Sequence, residues 1–262
     1  MKINEINEII ESIDKNGWAK IESVYNENQI NEVLKEGELA LPFYERLQSE
    51  AGLGESSINS THHTALICES VMNLINPNPT HELLETFFNG KYILNTMGIA
   101  FCQPNEWYNY TMKIHRDIRS FSSSNRLFLN TIILLDDSTE DNGATHMIYK
   151  ESNVDNQPSE EFFNNNSFRI CGKRGDIILF DGNMWHKAGV NYTNKPRRII
   201  SQMFTVPFIK QQLDYPRALG MDFKHKIPIQ LSQILGYNAM TPKSLNEFYQ
   251  PKEKRFYKSD QG

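Results

Sequence analysis

No stretch of the 262-residue chain approaches the roughly 20 consecutive apolar residues that a membrane-spanning helix needs, so a membrane protein is not expected. Cysteine is scarce. Cys68, Cys102 and Cys171 are odd in number and too widely spaced for a zinc knuckle or a disulfide framework, and a reducing cytoplasm is the simplest setting for them. Excess positive charge is missing too: 27 Lys and Arg stand against 32 Asp and Glu, which argues against nucleic-acid binding driven by phosphate neutralisation. There is no Gly-x-Ser-x-Gly elbow and no phosphate-binding glycine loop, so serine-hydrolase and nucleotide-phosphate chemistry lack their usual scaffolds. The N-terminus carries acidic residues and no uninterrupted apolar run, so no signal peptide is expected, and no internal repeat is visible.

What remains, 39% hydrophobic and 23% charged, is the composition of a soluble globular protein, read here as one domain over residues 1–262. The first ninety residues are expected to be mostly helical wrapping. Ile3, Ile6, Ile9, Ile10 and Ile13 recur at helical spacing and stop at Asn16-Gly17, and Asn26 is placed to cap a second helix carrying Ile30, Val33 and Leu34. Two shorter helical patterns follow, the second behind a Thr80 cap. From Lys91 short β-rich runs alternate with turn signals, at 92–94, 99–101, 112–114, 127–135, 145–149, 176–180 and 199–206. That spacing points to an antiparallel jelly-roll core over residues 91–206. Lys150 to Ser167, rich in Asn, Glu and Ser, reads as a long surface loop or lid. Residues 207–262 return to helical patterns and end in a basic run, a solvated surface.

One segment looks more like chemistry than packing. In Lys113-Ile114-His115-Arg116-Asp117-Ile118-Arg119, an extended backbone puts His115 and Asp117 on one face and Arg116 on the other, a two-point metal clamp. A third ligand is offered by His186, which follows the strand-and-turn run Gly175 to Gly182. Two imidazoles and one carboxylate on one side of a metal form the facial set of non-haem Fe(II) oxygenases. The competing reading, two ordinary histidines, stays open on spacing alone. Arg197, just ahead of the apolar pair Ile199-Ile200, would be drawn into the barrel, where a buried guanidinium needs an anionic partner such as a dicarboxylate. Arg198 would then face outward, and an exchange of the two roles is the alternative.

Together these residues resemble the phytanoyl-CoA dioxygenase family of Fe(II)/2-oxoglutarate-dependent oxygenases, in particular a bacterial branch of it. The resemblance runs through His115-Arg116-Asp117, the stretch Leu134 to Thr145, Gly175 to Phe180, Trp185-His186, Gly189, Asn191 and Arg197, so it spans most of the chain. It implies a double-stranded β-helix, mainly β with flanking helices, with Fe(II) held by His115, Asp117 and His186 and 2-oxoglutarate anchored by Arg197. It further implies hydroxylation of a small-molecule substrate with O2, releasing succinate and CO2. An intact Asp117 favours hydroxylation over halogenation.

Two departures stand out. Tyr149-Lys150-Glu151-Ser152 replaces the family's Pro-Gly-Ser-His, and Ala188 stands where many members have a serine that helps hold the cosubstrate. Asn130, a lone amide in an apolar strand, is the candidate for a second cosubstrate contact. For the substrate, Arg119, Trp107 and Tyr110 are the candidates, with Tyr108 and Trp185 as further pocket aromatics. Lys113 and Lys187 would form a cationic fringe suited to a sugar, a nucleotide-linked sugar or an amino acid derivative. The rival readings are a catalytically silent jelly-roll binding protein and a cupin-like metalloenzyme that does not use 2-oxoglutarate.

Overall fold

The computed structural model describes residues 1–54, 57–105, 109–118 and 125–262. In chain order its elements are α1 (Ile3–Asn16), β1 (Trp18–Ile21), α2 (Glu27–Glu50), α3 (Glu69–Asn73), α4 (His81–Phe88), β2 (Ile93–Cys102), β3 (Phe128–Leu134), β4 (Thr145–Ile148), α5 (Glu160–Asn165), β5 (Ser167–Ile170), β6 (Ile177–Asp181), β7 (His186–Lys187), β8 (Arg197–Thr205), α6 (Tyr215–Leu219), α7 (Ile229–Ile234) and α8 (Leu245–Phe248). No described helix is long and apolar enough to cross a membrane.

The strands form two antiparallel sheets, a five-stranded one in the order β1-β6-β3-β8-β2 and a three-stranded one in the order β5-β4-β7. Side-chain alternation explains the layering. In β3, Leu129 and Ile133 point outward into a core shared with the helices, while Ile132 and Leu134 point inward between the sheets. In β6, Ile177 and Leu179 face outward and Ile178 and Phe180 inward. These central strands are buried on both faces, which is why they read as nearly unbroken apolar runs instead of alternating ones. The fold is a jelly roll whose larger sheet is backed by helices.

The helices follow their sequence signals. In α1, Ile6, Ile10 and Ile13 are buried, and Gly17 ends the helix at φ +83°, a left-handed geometry that favours glycine. Asn26 caps α2 in a reciprocal box with Gln29. Thr80 departs from expectation: its hydroxyl goes to Asn78 Oδ1 and makes no cap bond.

The short extended piece that the sequence shows at Trp18 to Ile21 is β1, which joins the large sheet beside β6. Three further departures matter. The runs at 92–94 and 99–101 are parts of one strand, β2, with a register irregularity between Leu94 and Thr96. The strand expected at 112–114 is a 3-10 turn, Tyr110–Met112, after which His115 forms one isolated bridge to His186. The expected loop at 150–167 contains α5, capped by Ser159, because Phe163 is fully buried between the sheets and fixes that turn of chain to the core.

Candidate active site

His115 and His186 are joined by two backbone hydrogen bonds, each N–H donating to the other's carbonyl, at 3.0 and 2.9 Å. Their rings lie 4.3 Å apart between centroids. Each Nδ1 faces a main-chain carbonyl, Lys113 O at 2.7 Å for His115 and Met184 O at 3.0 Å for His186. A carbonyl only accepts, so each Nδ1 carries the hydrogen and Nε2 is the ring nitrogen suited to ligate a metal. The two Nε2 atoms flank Asp117, His115 at 3.9 Å from Oδ1 and His186 at 3.7 Å from Oδ2. One ligand atom from each of the three residues lies within 4.8 Å of the others. Asn130, 2% exposed on β3, donates to Asp117 Oδ2 at 2.6 Å and holds the carboxylate in place.

Arg116 turns the other way, its guanidinium 4.6 Å from the centroid of the Trp185 ring, and Trp185 Nε1 donates to Val154 O. Arg116 is thereby buried as a packing group, while its neighbours face the cavity.

That cavity holds about 260 Å³ and is lined by all three residues of the cluster and by Arg197. Arg197 opens β8 opposite Cys102 of β2 and is 3% exposed. Its Nε donates to Asn142 O at 3.2 Å, but Nη1 is buried without a partner, and burial pulls its pKa below the usual arginine value. Arg198 lies on the other face. Its guanidinium makes a two-point fork with Asp136, at 2.7 and 2.8 Å, and reaches Glu38 of α2, so its charge is compensated. Of the two adjacent arginines, only Arg197 presents an unmatched donor inside the barrel.

The cluster is suited to a divalent metal, since two imidazoles and a carboxylate on one side leave the remaining positions open. The unmatched Nη1 suits the distal carboxylate of a bound dicarboxylate, because an uncompensated buried charge is costly and an anion removes the deficit.

The other sequence candidates are placed as follows. Tyr110 lines the cavity, its hydroxyl 3.1 Å from His62 Nε2. Asn130, expected against the cosubstrate, has its amide engaged by Asp117. Lys187 is paired with Glu160 at 2.7 Å and lies over the Phe163 ring, and Lys113 is exposed and not among the cavity-lining residues, so neither forms the expected cationic fringe. Trp185 packs in the core between the sheets. Trp107, Tyr108 and Arg119 lie outside the described residues.

Several lining residues were not anticipated. His62, in the segment running alongside β2, stacks against Tyr110, and burial lowers its pKa, favouring the neutral ring. Gln212 lines the cavity from the stretch after β8. Thr145 lines it from the small sheet, together with Ala188 just past β7, a position the sequence had already marked. Thr96, Gly98, Ala100 and Cys102 do so from β2, a two-residue period of small side chains that was readable in the sequence.

Comparison with known proteins agrees with this architecture. Two curated mycobacterial relatives described as uncharacterized, Mb1539 of Mycobacterium bovis and Rv1501 of Mycobacterium tuberculosis, are each 32% identical over 162 residues. The match covers 62% of this chain and 58% of either relative. Among solved structures, EctD from S. alaskensis with 2-oxoglutarate and 5-hydroxyectoine superposes with a TM-score of 0.62 at 16% identity, covering 78% of this chain and 76% of EctD. AviO1 from Streptomyces viridochromogenes Tue57 gives 0.60 at 17%, with 78% and 96% covered. The non-heme alpha-ketoglutarate-dependent epimerase SnoN from nogalamycin biosynthesis gives 0.59 at 15%, with 78% and 84% covered. At such identities the likeness is one of fold. Residues 13–199 match the family model for phytanoyl-CoA dioxygenase (PhyH), and the chain belongs to that family of Fe(II)/2-oxoglutarate-dependent oxygenases.

Proposed function

We propose that the protein is an Fe(II)- and 2-oxoglutarate-dependent oxygenase that hydroxylates a small polar metabolite. The observation that carries this reading is one cavity lined by two things: a His115, Asp117 and His186 cluster whose ligand atoms lie within 4.8 Å of one another, and a buried Arg197 with an unmatched donor.

In this reading His115, Asp117 and His186 hold the iron, and Arg197 receives the distal carboxylate of 2-oxoglutarate. The bound iron, with 2-oxoglutarate and O2, supplies the oxidising power, and succinate and CO2 are released. The protein contributes orientation. The carbonyls of Lys113 and Met184 fix the imidazole tautomers, and Asn130 fixes the carboxylate. Ile132, Phe180 and Ile199 give the cavity an apolar lining beside the cluster, which limits water there.

The substrate would lie over the small-residue floor of Thr96, Gly98 and Ala100, within reach of the Tyr110 hydroxyl, the neutral His62 ring and the Gln212 amide. Such groups recognise hydroxyl and amide functions, which supports a sugar-like or amino-acid-derived substrate. EctD, crystallised with 5-hydroxyectoine, is consistent with chemistry on a small polar molecule.

The test is anaerobic addition of Fe(II) and then 2-oxoglutarate to the purified protein. A weak visible charge-transfer band is expected, together with metabolite-stimulated succinate release on admitting O2, and Asp117→Ala should lose both. A protein that binds 2-oxoglutarate equally well with Arg197→Ala, or never forms succinate, is not this enzyme.

A further inference from the structure

Cys102 closes β2 directly opposite Arg197, which opens β8, and both residues line the cavity. Cross-strand partners share a face, so the thiol and the guanidinium stand side by side on the inner wall. Two contacts fix the sulfur there. A Cβ on Gly143 would come within 2.9 Å of Cys102 Sγ, and Gly143 follows Asn142, whose carbonyl accepts from Arg197 Nε. The thiol donates to Gly189 O across 3.8 Å, a long and weak bond.

The electrostatics act in both directions across this pair. Burial pulls the Arg197 pKa down, while the charge of Cys102 and a hydrogen bond with it push it back up. A cation beside a thiol favours the thiolate, which is the nucleophilic form. Arg197 is 3% exposed and its Nη1 lacks a partner, so an oxygen anion delivered there is stabilised. The other two thiols are tuned the opposite way. Burial and then the Glu36 charge push Cys68 up to about 11, and desolvation and the Glu140 charge raise Cys171, which is exposed.

We propose that Cys102 is a peroxide-reactive thiol at the Arg197 end of the cavity, and that its oxidation and the binding of 2-oxoglutarate exclude one another. The second half rests on the proposed oxygenase reading, and the first does not. The thiolate sulfur attacks one oxygen of hydrogen peroxide. An S–O bond forms, the O–O bond breaks, and the departing hydroxide takes a proton to become water. Sulfur is oxidised to sulfenic acid and the peroxide is reduced. The new oxygen, carried by the strand partner of Arg197, gives Nη1 an acceptor and takes the space of a distal carboxylate. Conversely, a bound carboxylate neutralises the guanidinium, and the thiol loses both its activation and its access.

The experiment is peptide mass spectrometry of the three cysteines in Mn(II)-loaded protein, after treatment with hydrogen peroxide and dimedone, which traps sulfenic acid. Exposure alone would favour Cys171. Cys102 is expected to label first instead, and Arg197→Met should slow it roughly tenfold, the change in thiolate fraction for about one pKa unit. 2-Oxoglutarate at about ten times its dissociation constant leaves roughly a tenth of the sites empty, so it should slow Cys102 labelling roughly tenfold. Oxalate, which chelates a metal but has no distal carboxylate, should not protect. Protein oxidised without dimedone should bind 2-oxoglutarate at least about tenfold more weakly in calorimetric titration, with recovery on adding dithiothreitol. In Cys102→Ala, peroxide should leave the affinity where that variant started. Faster labelling at Cys171, no slowing in Arg197→Met, or full 2-oxoglutarate affinity after oxidation at Cys102 would each overturn the proposal. Wild-type protein whose Cys102 labels in this Arg197-dependent way, yet binds no 2-oxoglutarate, would uphold the reactive thiol and overturn the oxygenase reading.

Discussion

Asn130 and Asp117 are joined by a 2.6 Å hydrogen bond from Nδ2 to Oδ2, and this bond connects the central strand of the large sheet to the candidate metal cluster. Asn130 is 2% exposed and fixed by its place in β3, whereas the Asp117 side chain is 31% exposed on a segment outside any strand. The buried partner therefore aims the exposed one. Asn130→Leu, which keeps the volume, is expected to lower Fe(II) or Mn(II) affinity roughly tenfold to a hundredfold with little change in melting temperature, because outer groups that orient ligands have effects of that order. Metal titration followed by paramagnetic resonance measures it. An unaltered affinity would mean that Asp117 is positioned without Asn130.

Arg197 and Arg198 are adjacent, and their expected responses to the same change are opposite. Arg198→Met leaves the partly buried Asp136 carboxylate without its fork and should cost about 2 kcal/mol of stability. Arg197→Met removes a buried charge that already lacks one partner, so the ligand-free protein should melt at the same temperature or higher. That variant should lose at least about a hundredfold in 2-oxoglutarate affinity, the order for removing one side of a buried charged pair. Thermal melts with and without 2-oxoglutarate and Mn(II) separate the two effects. Equal destabilisation by both substitutions would count against a ligand role for Arg197.

How much of this was legible in the sequence depends on whether local pattern or distant contact sets each feature. The helices of the first ninety residues and the two-sided burial of the central strands follow from periodicity, so they could be read directly. Strand parity put Arg197 and Arg198 on opposite faces but left open which of them points inward, and the cavity lining decides for Arg197. The same parity placed His115 and Asp117 together, though the segment is a 3-10 turn and a single bridge, because Arg116 packing on Trp185 enforces the alternation that a strand would have given. His62 and Gln212 were invisible, since neither lies in a motif and each reaches the cavity through pairing far away in sequence. Lys187 misled for a related reason: α5, which holds its partner Glu160, was hidden in a stretch whose composition reads as loop.

Gly98 controls the wall opposite the cluster. A side chain there would place Cβ 1.9 Å from the carbonyl oxygen of Thr61, in the segment that pairs with β2 through Thr61 N–H to Ile99 O and His63 N–H to Met97 O. Backbone cannot yield as a flexible side chain does, so Gly98→Ala is expected to push the His62 segment away from β2. The cost should be about 1–3 kcal/mol, the range for overpacking. The specific signature is a rise in KM for the organic substrate at unchanged 2-oxoglutarate affinity, because His62 and Arg197 lie on different elements. A variant with normal stability and kinetics would show that this segment has no rigid role.

His146 gives the fold a dependence on acid. Its pKa is lowered to about 4, chiefly by burial and then by the nearby Arg169 and Lys187 charges, and its Nε2 accepts from Arg169 Nε at 3.0 Å. The unfolded chain, with an ordinary histidine pKa near 6.5, binds a proton between about pH 6.5 and 4 that the folded state refuses. The stabilisation is thus complete above about pH 6.5 and is lost as pH falls toward 4. His63, also lowered to about 4 by burial and by His62, adds to the same window. Both side chains retain some contact with solvent, so the loss per histidine should fall short of the full linkage value. His146→Gln removes one of these titrations, and its melting temperature should fall less steeply than that of the wild type between pH 6.5 and 4. Parallel slopes for the two proteins would show that His146 stays unprotonated for reasons the unfolded chain shares.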